Sequence, residues 1–156
     1  RGSKYNGTSY MTYNTNCNFG TAGSFSYWIK LINNNNQQCF KGNSMDMQIY
    51  GTKFYWKMLN MDSSWSISAN AVGTGWKHIV MIWNGASRKL YKNNVIEINT
   101  TGGSGTPVNG TLQIGTTGGF YCYTNGTILD EMSWWNRALT ATEVANLYNS
   151  GSGLFY

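Results

Sequence analysis

The sequence predicts an all-β protein, two antiparallel sheets packed face to face and closed by one short C-terminal helix. Three observations carry that expectation. Short segments of alternating apolar and polar residues recur along the 156-residue chain. Clusters of Gly, Asn and Ser separate them, as turns require. Only one stretch, near the C-terminus, changes to a helical period.

In chain order the expected strands are SYMTY (9–13), SFSYWIKLI (24–32), DMQIY (46–50), KFYWKM (53–58) and SWSIS (64–68), followed by WKHIVMIW (76–83), RKLYK (88–92), VIEI (95–98), TLQIG (111–115) and TILDEMSWW (127–135). Ten strands suffice for a two-sheet sandwich. Hairpin turns are expected at Tyr50-Gly51-Thr52-Lys53, Trp83-Asn84-Gly85-Ala86 and Lys92-Asn93-Asn94-Val95, where Gly or Asn accepts positive φ. The longest irregular pieces are 14–23, 33–38 and 99–110, the last holding the only proline, Pro107. Loops of that kind often carry recognition. The helix is expected over 140–149: Thr140 and Glu143 form a capping box, Val144, Leu147 and Tyr148 share a face, and Asn149-Ser150-Gly151 ends it. So short a helix is stable only when packed on the strands.

Length fits one domain, 1–156, that buries about 70% of its unfolded surface. Charged residues are 11% and aromatics 15%, so solubility rests on amides and hydroxyls, as in β-rich extracellular or virion-surface proteins. The net charge of +5 comes from scarce acids, and the lysines and arginines are scattered singly. Nucleic acid is therefore not an expected partner. No apolar run approaches the roughly 18 residues of a membrane span, and no signal-like segment opens the sequence, so membrane insertion is not expected. Cys17, Cys39 and Cys122 are isolated from one another, which excludes zinc-ribbon spacing and allows at most one disulfide. Asn6, Asn99, Asn109 and Asn125 begin Asn-X-Thr sequons, three of which are also Asn-Gly turns.

Five segments in order, YNGTSYMTY, FSYWIK, GWKHIVMIWNGASRKLYKNNV, GTLQIG and TILDEMSWWNRALTATEVANLYNSG, resemble the laminin-G-like jelly rolls of the concanavalin-A-like lectin/glucanase superfamily. The last segment is the specific one. The resemblance implies a jelly-roll sandwich with its chain ends close together. It implies activity less directly, because members include sugar-binding modules, adhesion domains and enzymes. Many members bind calcium and carry acidic turns where this chain has Trp83-Asn84-Gly85 and Asn93-Asn94-Val95. No cofactor is expected, and what remains is room for a weak calcium site built on Asp130 and backbone carbonyls.

Catalysis is not expected. Glycoside hydrolysis needs two carboxyl groups facing each other across the bond, and strand alternation sends neighbours Asp130 and Glu131 to opposite faces. On that alternation Ile128, Asp130, Met132 and Trp134 share one face, and Leu129, Glu131, Ser133 and Trp135 the other. The acids near the strand exit, with Arg137 and Glu143, read instead as a latch at the strand-to-helix corner. Asp46, Asp62 and Glu97 are solitary in sequence. His78 falls on the face of Trp76, Val80 and Ile82 and reads as a packed core histidine. Most aromatics must be core. Those that alternate outward or sit on turns, Tyr50, Tyr55, Trp65, Tyr121 and Tyr123, are expected to stack on sugar rings, with Gln48, Asn70 and Asn84 as hydroxyl partners. The expected partner is a glycan or cell-surface polysaccharide, with other structural subunits of the same assembly as the alternative. The expected location is extracellular or on a virion surface.

Overall fold

The computed structural model describes residues 3–4, 10–31, 37–70, 72–103, 105, 107–115 and 127–153, with side chains omitted for 3–4, 10–16, 37–39 and 115. Its strands are β1 (Ser3–Lys4), β2 (Tyr10–Cys17), β3 (Ala22–Leu31), β4 (Gln37–Gly42), β5 (Met45–Tyr50), β6 (Lys53–Met58), β7 (Ser66–Ile67), β8 (Gly75–Asn84), β9 (Ser87–Lys92), β10 (Val95–Thr101), β11 (Gly110–Gly115) and β12 (Ile128–Trp135). One helix, α1 (Ala141–Tyr148), follows. Among the described residues the strands form two antiparallel sheets, ordered β1-β12-β3-β8-β9-β10 and β2-β11-β4-β5-β6-β7. This is the expected sandwich. Two strands were absent from the sequence expectation: β1, and β4 (QQCFKG), which runs through part of a stretch read as irregular.

The turns follow their chemistry. Asn93 and Asn94 adopt φ of 50° and 63°, as the β9–β10 hairpin demands, and Gly51 and Gly85 take positive φ in the other two. The core lies between the sheets and is built from alternate residues: Met45, Met47 and Ile49 of β5 face Phe25, Tyr27 and Ile29 of β3, with Phe40, Phe54, Trp56 and Trp83 completing it. The buried Trp83 indole donates to the Phe19 carbonyl at 2.8 Å, so its polar edge is satisfied.

The second face of the β3–β8–β9 sheet is covered by α1. Val80, Ile82 and Tyr91 meet Leu139 and Val144 there, which explains why β8 is buried on both faces. The capping box is present: the Thr140 side chain accepts from the Glu143 amide, and the Glu143 carboxylate accepts from the Thr140 amide at 2.8 Å. Glu143 also pairs with Arg137, whose Nη1 lies 3.0 Å away. Ser24 Oγ joins the corner to β3, donating to the Arg137 carbonyl and accepting from the Leu139 amide, both at 2.9 Å. The latch therefore exists, with Glu143 as its carboxylate and neither Asp130 nor Glu131 in it.

β12 departs from strict alternation. Asp130 pairs with Trp28 and Ser133 with Ser26, so Glu131 and Met132 together oppose the single residue Tyr27. That is a β-bulge, and Glu131 takes φ 48° within it. The extra residue reverses the faces: Leu129 and Trp134 both pack on the core, while Trp135 packs beneath the helix. The expected grouping of Trp134 with Ile128 and Asp130 is thus corrected. A side chain in the left-handed region is strained, so Glu131→Gly is expected to raise stability by about 0.5–1 kcal/mol, whereas Glu131→Ala gains nothing. Urea denaturation of the two variants checks this.

Candidate functional site

The exposed face of β5, β6 and β7 gathers four of the residues singled out in the sequence. Inward residues of β5 and β6 are buried, which turns Asp46, Gln48 and Tyr50 outward on one strand and Lys53, Tyr55 and Lys57 on the next. Register places Gln48 directly opposite Tyr55 and Tyr55 opposite Ile67. Tyr50 and Tyr55 meet edge to face with centroids 5.8 Å apart, and Tyr55 and Trp65 do so at 6.4 Å. The three rings form a continuous run with the Gln48 amide beside it. Tyr50 is 55% exposed and Ile67 47%, so the run is open to ligand.

The other expected site residues fall elsewhere. Asn70 donates twice to Glu97, from its backbone N at 3.0 Å and from Nδ2 at 3.1 Å to the same carboxylate oxygen. Asn84 ends β8, on the opposite sheet from the aromatic run. Tyr121 and Tyr123 lie outside the described residues.

At Trp65 the run reaches a cleft of ≈ 650 Å³ between β7 and β10, lined by residues 62–67, 97–103 and Ala69. These strands are the outer edges of their respective sheets, on the same side of the sandwich. Two ion pairs underlie the cleft. Asp62 holds the buried Arg88 through both oxygens, at 2.8 and 3.1 Å, and also accepts from the Met58 and Gly103 amides. Glu97 pairs with Lys92 at 2.9 Å. Burial pushes the Glu97 pKa up, but its bonds to Lys92 and Asn70 outweigh that and hold it below the usual carboxylate value.

The bulge has a consequence for the two adjacent acids. Asp130 and Glu131 do not point to opposite sides of the sandwich; both line one shallow pocket of ≈ 260 Å³ with Trp28, Trp76, Gly151 and Ser152. No lysine or arginine pairs with either among the described residues. Among those residues no three His, Cys, Asp or Glu side chains gather at one place.

His78 is 2% exposed on the helix-covered face, its Nε2 2.8 Å from Ser26 Oγ and its ring packed against both Trp28 and Tyr148, which also stack on each other. Burial lowers its pKa to about 4, so it is neutral at physiological pH. It is a packed histidine, as expected. Cys17 is a free, half-buried thiol whose pKa burial pushes up.

A two-sheet sandwich of this topology hosts many different functions, so its role is argued from its surfaces. The chain belongs to the concanavalin A-like lectin/glucanases superfamily, whose laminin-G-type model matches residues 5–145. It is 23% identical over 129 residues to the adhesion G-protein coupled receptor D1 of Bos taurus, a match that covers 82% of this chain and 14% of the receptor. Among solved structures it superposes on the heptameric SAP-like pentraxin of Limulus polyphemus with a TM-score of 0.76, at 18% identity over 97% of this chain and 82% of that one. It also superposes on domain 4 of AbnA, an extracellular GH43 arabinanase of Geobacillus stearothermophilus solved in complex with arabinotriose (TM-score 0.73, 18% identity, 93% and 75% coverage). At such identities the two structures establish the fold. Among the described residues no helix is long and apolar enough to cross a membrane.

Proposed function

We propose that the chain is a non-catalytic glycan-recognition module of a secreted or surface-displayed adhesive protein. The observation that carries this reading is the outward run Tyr50–Tyr55–Trp65 with Gln48 beside it. A sugar's C–H face packs on an aromatic ring, and its hydroxyls need an amide that both donates and accepts. The arabinanase domain, solved with a trisaccharide, supports the reading by analogy of fold, and the adhesion receptor supports an adhesive setting. Three of the six acids, Asp62, Glu97 and Glu143, are each held by a cation; Asp130 and Glu131 share a pocket, and the non-catalytic reading expects no turnover in hydrolase assays across β-glucans and galactans.

A shallow surface of this kind binds weakly at a single site, with Kd around 1 mM (about 4 kcal/mol), and gains strength from repeated copies. On a glycan array a streptavidin-linked tetramer is expected to give signal where the monomer gives little. A tetramer silent across the array at high concentration overturns the reading. A second reading, docking on a neighbouring subunit of an assembly such as a fibre or capsid, draws on Val95 and Ile96, adjacent on edge strand β10 and 60% and 46% exposed. It predicts Val95- and Ile96-dependent association in sedimentation velocity.

A further inference from the structure

We propose that the cleft between edge strands β7 and β10 binds an extended, uncharged oligosaccharide chain, which enters over Trp65 from the aromatic run. This rests on the glycan reading above and assigns it a second, deeper subsite.

The cleft's volume of ≈ 650 Å³ lies inside the range of about 300–1,000 Å³ typical of ligand sites. Its walls are rich in groups that donate and accept at once: Ser63, Ser64 and Ser66 on one side, Asn99, Thr100 and Thr101 on the other. Such walls suit vicinal hydroxyls, while Trp65 at the lip offers a ring to pack on. Part of the lining is bare backbone, because Gly102 and Gly103 press on the loop after β6. A Cβ at Gly102 would lie 2.0 Å from Asp62 Oδ1, and one at Gly103 1.5 Å from the Met61 carbonyl oxygen.

Electrostatics selects the class of sugar. The two carboxylates in the lining, Asp62 and Glu97, are 8% and 6% exposed and already matched by Arg88 and Lys92. No charge in the lining is left unmatched, and Lys57, just outside it, already donates to the Ser63 carbonyl at 3.5 Å. A uronic acid or sulfate entering it would lose water without gaining a counter-charge, which is costly. A neutral chain loses nothing of that kind.

The same edges are poorly suited to a peptide. Strand addition needs a run of free backbone groups on a regular edge. Here β7 is two residues long, β10 carries a bulge between Ile96 and Ile98, and the Glu97 carbonyl already accepts from the Ala69 amide at 3.1 Å.

The test uses isotope-labelled full chain from a host without N-glycosylation, since Asn99 in the cleft begins a sequon. It is titrated with cellohexaose, xylohexaose, mannohexaose and arabinohexaose, with a heparin hexasaccharide and a random-sequence peptide pool as comparators. The expected result is that at least one neutral hexasaccharide shifts amides of residues 63–67 and 99–103, and that heparin and peptides do not. Thr100→Trp, which fills the cleft, is expected to weaken binding at least about tenfold, and Lys30→Ala, at an exposed position of β3 on the sheet opposite the aromatic run, less than about threefold. The shifts of the wild-type protein decide the matter if Thr100→Trp does not fold. Shifts confined to Gln48, Tyr50 and Tyr55, with Thr100→Trp binding normally, overturn the cleft and leave the glycan reading standing. Binding of heparin or peptide in the cleft overturns the neutral-sugar assignment. No binding by any saccharide overturns both.

Discussion

Asp62→Ala is expected to lose about 3–5 kcal/mol of unfolding free energy, the cost of leaving a buried charge without its partner. Arg88 is fully buried in the structure, and Asp62 engages both Nε and Nη2 of its guanidinium. The remaining donors go to the Gly85, Ser87 and Gly103 carbonyls. This network ties β9 of one sheet to the loop after β6 of the other, so its loss opens the sandwich at that end. Replacing both partners by apolar groups, in Asp62→Leu/Arg88→Met, is expected to cost clearly less than Asp62→Ala alone, because no orphaned charge remains. Equilibrium urea unfolding of the three proteins measures the difference. Equal loss in the single and double variants would show that packing, not charge matching, makes this contact matter.

Acid is the second large perturbation. His78 has an ordinary pKa of 6.5 and a folded value of about 4, so the unfolded chain binds the extra proton first. Stability from this group is complete above pH 6.5 and is lost progressively as pH falls towards 4, about 3 kcal/mol in all. The carboxylates act lower. Glu97 and Glu143 both have depressed folded pKa values, Glu143 to about 2 through Arg137, so their contributions fall away below pH 4.5. The wild-type protein is thus expected to weaken already between pH 6.5 and 5, and His78→Gln to be flat over that interval. A wild-type curve that is flat to pH 5 contradicts the burial of a neutral imidazole.

The sandwich was legible because most strands present one buried face, and burial imposes the alternation that reads as a strand. β4 escaped because Gln37, Gln38, Cys39, Phe40, Lys41 and Gly42 show no clear alternation of polarity. The bulge in β12 escaped for a different reason. A left-handed residue in a bulge is usually Gly, and Glu131 gives no such sign. That one residue misplaced both carboxylates and both tryptophans of the segment.

The candidate site divides in the same way. The outward orientation of Gln48, Tyr50 and Tyr55 was legible because they alternate against buried neighbours on two strands joined by a tight turn. The contact of Asn70 with Glu97, 27 residues away, is one that only the fold reveals. Asn84 was linked to the others by residue type alone. The cleft left no local trace, since its walls come from two strands at the edges of different sheets.

The most direct test of the glycan account is isothermal titration of the purified domain with whichever saccharide gives the strongest array signal, comparing wild type with Tyr55→Ala and Trp65→Ala. Tyr55 is the middle ring of the run and Trp65 its junction with the cleft. The account predicts that each variant keeps the wild-type unfolding midpoint and loses at least about tenfold in affinity, or about 1.4 kcal/mol. Wild-type affinity in both folded variants would contradict it.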